Sequence, residues 1–195
     1  MSSQQLSKRK EALRMHFMNV RKDLSKSEIE TKSKRIIDTV TDTDLFNRAS
    51  VIHCFYGIQK NREVQTDAFI RTCMELGKTV VLPRMVGESE LRHHRIDSLQ
   101  QLEESRWGIR EPSVNRPVVE PSALDLIMVP MVAGDRLCNR LGYGKGYYDR
   151  FLAKTSAPTI GVLFDCTLSD EPLPVEPFDI PLGKLITESA VYQRT

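Results

Sequence analysis

The segment Leu124-Asp125-Leu126-Ile127-Met128-Val129-Pro130 is apolar at almost every position, and such a short run reads as a buried strand. A buried strand must be covered by packing layers, which points to a sheet flanked by other elements. It is followed by Arg140-Leu141-Gly142-Tyr143-Gly144-Lys145-Gly146-Tyr147-Tyr148-Asp149, and Tyr147 to Lys154 then reads as the start of a helix. Three glycines allow backbone N–H groups to approach a ligand closely. Lys145 adds a compact positive charge suited to phosphate, and Asp149 is a hard oxygen donor of the kind Mg²⁺ takes. A glycine-rich turn feeding a helix N-terminus is a natural anion site. The spacing is neither G-x-G-x-x-G nor G-x-x-x-x-G-K-[ST], so the common nucleotide patterns do not apply. A tight turn whose glycines serve only chain geometry is the plain alternative.

Strands and helices alternate around this segment. Leu6, Leu13, Phe17, Val20 and Leu24 recur at helical spacing and predict a first helix over about Gln4 to Lys22. Lys10 and Arg14, four apart, share one face of it, with Arg21 continuing the edge. They read equally as a solvated basic rim or as cations aimed at a phosphate chain. Ser25 and Glu28 have capping-box spacing and open a second helix to about Val40. Strands are expected at Ala49–Tyr56, Lys78–Leu82 (stopped by Pro83), Leu91–Ile96 and Thr159–Phe164, and an extended stretch leads to Leu185-Ile186-Thr187. Helices are expected at Val64–Leu76, ended by Gly77, and briefly at Leu99–Glu104. The region from Trp107 to Pro121 reads as a loop. The pattern is that of an α/β sheet with helices on both faces, whose ligands sit beyond the carboxyl ends of the strands. The glycine-rich turn and the loop carrying Glu63 both lie at such ends.

With 195 residues, a single domain over 1–195 is expected. The net charge of +2 is too small to imply nucleic acid or a membrane surface, but it is unevenly spread. Residues 1–35 hold ten Lys/Arg against four Asp/Glu, and residues 165–195 hold two against six. The basic end suits a polyanion and the acidic end suits a cation. Cys54, Cys73, Cys138 and Cys166 contain no C-x-x-C pair, which argues against a zinc ribbon or thioredoxin-type site. A reducing cytoplasm is the expected location. No secretory leader is recognisable, and no apolar run reaches the ~20 residues needed to span a bilayer.

Taken in order, several features resemble one family across nearly the whole chain. They are Lys10 and Arg14; Phe55-Tyr56-Gly57 with Glu63-Val64-Gln65-Thr66; Gly77 to Arg84; Trp107-Gly108-Ile109-Arg110-Glu111-Pro112; Asp125 to Pro130; the Arg140–Asp149 run; Phe178-Asp179; and Ile186-Thr187-Glu188. The set resembles the 5-formyltetrahydrofolate cyclo-ligases, or methenyltetrahydrofolate synthetases. The resemblance implies a three-layer α/β fold with a mostly parallel central sheet, related to the sugar-phosphate isomerase and CoA-transferase group. It implies ATP- and Mg²⁺-dependent conversion of 5-formyltetrahydrofolate (folinate) to 5,10-methenyltetrahydrofolate, with release of ADP and phosphate. By matching positions, Lys10, Arg14, Arg140, Gly142, Gly144, Lys145 and Gly146 hold the ATP phosphates, and Lys145 and Arg140 act at the transferring group. Asp149 and Asp179 match the metal ligands. Glu63 matches the pterin carboxylate, although a helix N-terminal acid is its plain alternative. Tyr56, Trp107, Tyr147 and Tyr148 are candidates to line the pterin pocket by stacking. A monomer acting on a small molecule is expected, with no nucleic-acid or membrane partner. His16, His53, His93 and His94 match nothing catalytic, and His93-His94 reads as a polar turn.

The chain departs from the family pattern just before the glycine-rich run. Met131, Gly134 and Cys138 stand where the family usually carries Gly, Phe and Gly. An aromatic that packs under the site is therefore missing, and a turn glycine is replaced. A sugar-phosphate enzyme on the same fold, and a folate- or nucleotide-binding protein without turnover, are the competing readings. The basic first helix raises nucleic-acid binding as a third, with steep salt dependence as its mark.

Overall fold

The structure is a computed structural model that describes residues 2–88, 90–105 and 108–194. In chain order these form α1 (Ser3–Lys22), α2 (Lys26–Thr41), α3 (Asp44–Arg48), β1 (Val51–His53), α4 (Asp67–Glu75), β2 (Thr79–Val86), β3 (Glu90–Ile96), β4 (Leu102–Glu104) and β5 (Arg110–Pro112). They continue with β6 (Leu126–Val129), β7 (Ala133–Asp135), β8 (Arg140–Leu141), α5 (Tyr147–Leu152), β9 (Thr159–Val162), β10 (Leu168–Ser169), β11 (Lys184–Ile186) and β12 (Val191–Gln193).

The main sheet has the order β12-β11-β9-β6-β1-β2-β3. Its five inner strands run parallel, and β12 and β3 close the two edges antiparallel. β6 sits at its centre, so its residues are buried on both faces and alternate between two cores. Leu126 and Met128 join Ile36, Val40, Phe69 and Ile70 of α2 and α4. Ile127 and Val129 join Phe151 and Leu152 of α5. The result is three layers, as expected from a near-continuous apolar strand. Capping boxes fix both long helices at their starts, Ser2 with Gln5 on α1 and Ser25 with Glu28 on α2.

Several local expectations need correction. β2 runs through Pro83 to Val86 rather than stopping. β1 ends opposite Val81, so beyond that point β2 pairs only with β3, and a proline is tolerated on a strand with one open side. The expected helix at Leu99–Glu104 is a single 3-10 turn followed by β4. The expected Ala49–Tyr56 strand is only three residues long, with α3, capped by Thr43, ending just before Ala49. His93 and His94 lie in β3 at 4% and 1% exposure, so they are core residues and not a polar turn.

A small sheet, β10-β7-β8, lies between β6 and the glycine-rich run, so that run does not follow β6 directly. Asp135, 1% exposed, ties its hairpin. Its Oδ1 accepts the N–H groups of Leu137 and Asn139, both at 2.9 Å, and its Oδ2 accepts Asn139 Nδ2 and Leu173 N–H, both at 2.8 Å. Cys138 has φ 62°, a left-handed conformation that favours glycine. Such a conformation costs a side-chain-bearing residue about 1–2 kcal/mol, and the Asp135 bonds hold it. The space next to Gly134 is not empty. A Cβ there meets Leu185 Cδ1 at 2.7 Å, and Leu163 Cδ1 and Met131 Sδ at 3.2 Å. Met131 thus packs, from three residues upstream, beside Gly134.

Candidate active site

Helix α1 presents three cations along one face, because positions 10, 14 and 21 are separated by near-integral turns. Each holds a different part of the site. Lys10, 4% exposed, donates to Glu176 at 2.7 Å and to Asp179 at 2.5 Å. Arg14 Nε donates to the carbonyl of Gly142 at 2.8 Å. Arg21, 3% exposed, donates to the carbonyl of Met131 at 3.1 Å and to the hydroxyl of Tyr143 at 2.8 Å. The solvated-rim alternative therefore fails for Lys10 and Arg21.

The glycine-rich run leaves β8 and turns at Gly144 and Gly146, both with positive φ. Arg140 Nη2 donates to Asp149 Oδ2 at 2.7 Å. Asp149 Oδ1 accepts the N–H of Ile180 at 3.3 Å, which brings the segment carrying Asp179 beside it. Asp179 Oδ2 also accepts the N–H of Glu176 at 2.7 Å, folding that segment into a turn. Lys145 is exposed. Helix α5, six residues long, is too short for a strong dipole, so an anion here depends on loop amides and cations.

These groups border a cleft of ≈ 630 Å³ that opens past the carboxyl ends of β1 and β6. Glu63, 5% exposed, lines the same cleft. Glu63 Oε2 accepts the N–H of Ile58 at 2.9 Å, and Oε1 accepts the hydroxyl of Tyr143. Burial pushes this carboxyl upward, while the Ile58 N–H, Tyr143 and Arg21 pull it down. Burial and then the Glu63 charge push the Tyr143 hydroxyl up. Tyr56 stacks under Arg110, whose guanidinium lies 5.2 Å from the ring centroid. Tyr147 donates to the carbonyl of Gly87 at 3.2 Å. Tyr148 packs against His53 and Phe151, with its hydroxyl buried and without a partner. Trp107 lies outside the described residues. Among the described residues no helix is long and apolar enough to cross a membrane.

Residues 6–188 match the model of the 5-formyltetrahydrofolate cyclo-ligase family. The chain belongs to that family. The 5-formyltetrahydrofolate cyclo-ligase of Escherichia coli K12 is 35% identical over a match covering 67% of this chain and 75% of that one. A Caenorhabditis elegans protein named as a probable member is 26% identical over 92% of each chain. The solved structure of the Aquifex aeolicus 5,10-methenyltetrahydrofolate synthetase superimposes with a TM-score of 0.84 and 31% identity, covering 94% of this chain and 92% of that one.

In this cyclo-ligase family member, the structure adds cleft residues that sequence reasoning passed over. Glu176 shares Lys10 with Asp179. Glu111 is 5% exposed and accepts the Met85 N–H at 3.2 Å, with burial raising its carboxyl. Tyr143 bridges Arg21 and Glu63. Glu111 sits in the Gly108–Pro112 segment and was findable there, whereas Tyr143 carries no local signal, because its partners lie 122 and 80 residues away.

Proposed function

We propose that this chain is a 5-formyltetrahydrofolate cyclo-ligase that uses ATP and Mg²⁺ to form 5,10-methenyltetrahydrofolate. What supports it is the set of groups that share one cleft. Lys10, Arg14, Arg140 and Lys145, with the acids Asp149 and Asp179, line it together with Glu63 and Tyr56. A triphosphate suits the first set and a pterin with its N–H donors suits the second.

A formamide carbonyl is a poor electrophile. Transfer of the γ-phosphoryl group breaks its bond to the ADP oxygen and forms a new bond to the formyl oxygen. The N10 lone pair then attacks the formyl carbon, the N10 proton is lost, and the carbon–oxygen bond breaks to release phosphate. Such transfer needs positioning and charge neutralisation more than covalent help. Arg14 orients the loop through the carbonyl of Gly142, and the amides around Gly142, Gly144 and Gly146 face the phosphates. Lys145 and Arg140 neutralise charge that grows on the transferring group. Glu63 orients the pterin.

Asp149 and Asp179 fit a Mg²⁺ ion. They are hard oxygen donors whose segments are joined by the Ile180 N–H on Asp149 Oδ1, and Mg²⁺ is commonly held by one or two carboxylates plus substrate phosphates. No cluster of three or more acidic, His or Cys ligands occurs among the described residues; a Mg²⁺ held by Asp149 and Asp179 would take its other oxygens from the substrate phosphates and water. When bound, the ion offsets phosphate charge. One chain supplies every group named, which supports a single domain over 1–195 acting as a monomer; the reading places it in the cytoplasm, on a freely diffusing folate. The test is a mixture of purified protein, 5-formyltetrahydrofolate, ATP and Mg²⁺, followed by the near-ultraviolet absorbance of the methenyl product. ATP-dependent growth that a chelator stops supports the reading, and a flat trace refutes it.

A further inference from the structure

Tyr143 links the glycine-rich loop to Glu63. Its backbone lies in the glycine-rich loop between Gly142 and Gly144, and its hydroxyl donates to Glu63 Oε1. The residue is 38% exposed, yet its hydroxyl is held between Glu63 and Arg21. With Ile58 N–H on Oε2, both carboxylate oxygens of Glu63 are engaged within the protein. Only 5% of Glu63 is open, which leaves little room for a second donor while the tyrosine hydroxyl is in place. A pterin that presents its N–H groups to Glu63 therefore competes with the Tyr143 hydroxyl. The loop can yield, because Gly144, with φ 88°, and Gly142 flank the tyrosine and glycine moves between conformations closed to other residues.

We propose that Tyr143 is a gate on the folate pocket, its hydroxyl occupying Glu63 in the empty enzyme and giving it up when the pterin binds. The inference rests on the assignment of Glu63 to the pterin. Tyr143 is a positioning residue whose contact is autoinhibitory, and its removal improves folate binding.

Calorimetric titration with 5-formyltetrahydrofolate in the absence of nucleotide tests this, because no turnover occurs without ATP. Tyr143→Phe keeps the ring and deletes the hydroxyl, while Tyr143→Leu deletes both. Each is expected to bind folate about tenfold tighter than the wild type, the worth of one hydrogen bond to a charged group. Glu63→Gln, titrated in parallel, is expected to bind about tenfold weaker. Tighter binding by either Tyr143 variant, with Glu63→Gln weakened, supports the gate. If neither Tyr143 variant binds tighter while Glu63→Gln is weakened, the gate is overturned and the Glu63 assignment stands. Unchanged affinity in Glu63→Gln overturns both.

Discussion

Arg140 Nη2 donates to Asp149 Oδ2 at 2.7 Å, with the two side chains 5% and 16% exposed. A cation assigned to phosphate and an acid assigned to metal therefore neutralise each other, as do Lys10 and Asp179. A metal–triphosphate complex brings the opposite charge to each partner, so both couples can exchange partners without leaving a buried charge uncompensated. Asp149→Asn is expected to raise the Mg²⁺ concentration for half-maximal activity by about tenfold or more. A Mg²⁺ titration of methenyl formation checks this, and a wild-type midpoint removes Asp149 from the metal site.

Lys145 is exposed in the glycine-rich loop, where its charge is free to follow a moving phosphoryl group. Lys145→Ala is expected to lower kcat by roughly 10²-fold or more while leaving folate affinity unchanged. Steady-state kinetics with calorimetric folate binding separates the two effects. A normal kcat contradicts the assignment.

Gly134 is required by volume. Its φ is ordinary, but an added Cβ lies 2.7 Å from Leu185 Cδ1 and 3.2 Å from Met131 Sδ. Gly134→Ala is expected to cost about 1–3 kcal/mol of overpacking. Shortening the neighbour in Met131→Ala/Gly134→Ala should recover part of that loss, a coupling visible in urea unfolding. Additive losses would place Met131 outside this contact.

His53 Nε2 and His93 Nδ1 lie 3.1 Å apart beneath Phe151. Burial first, then the charges of His94 and Lys154, lower His93 from its ordinary 6.5 to about 4. Between those values the unfolded chain takes up the proton and the folded chain does not, so stability is full above 6.5 and is lost as pH falls toward about 4. Unfolding free energy should drop by on the order of 1–3 kcal/mol across that window, and His93→Gln should flatten the slope. Urea denaturation at several pH values measures it; equal slopes in both proteins exclude His93 as the source.

The sequence was legible where one residue pattern specified one element. The apolar run of β6 and the Ser25–Glu28 capping box each specify theirs. It was illegible where tertiary pairing decides the outcome. β7, β8 and β10 are two or three residues long and exist because of Asp135 and mutual pairing. Pro83 reads as a strand end until the early termination of β1 leaves one side of β2 open. At the site, the motif residues gather as their order suggested, with Lys10, Arg140, Asp149 and Asp179 in one network. Their pairing with one another, and the reach of Tyr143 to Glu63, depend on segments far apart in the chain and leave no local periodicity. Glycine at 138 was a fair expectation, since the position is left-handed, but nothing local reveals that the Asp135 bonds let cysteine occupy it.

The three cations of α1 also set an order of events during synthesis. Lys10, Arg14 and Arg21 find their partners 169, 128 and 110 residues further along. The helix therefore leaves the ribosome long before Met131, Gly142 and Asp179 exist, and these three cations lack those partners until the later strands have emerged. Contacts of such long range form late and slowly. Docking of α1 is thus the step that completes the phosphate end of the cleft, so the nascent enzyme is inactive until nearly the whole chain has emerged.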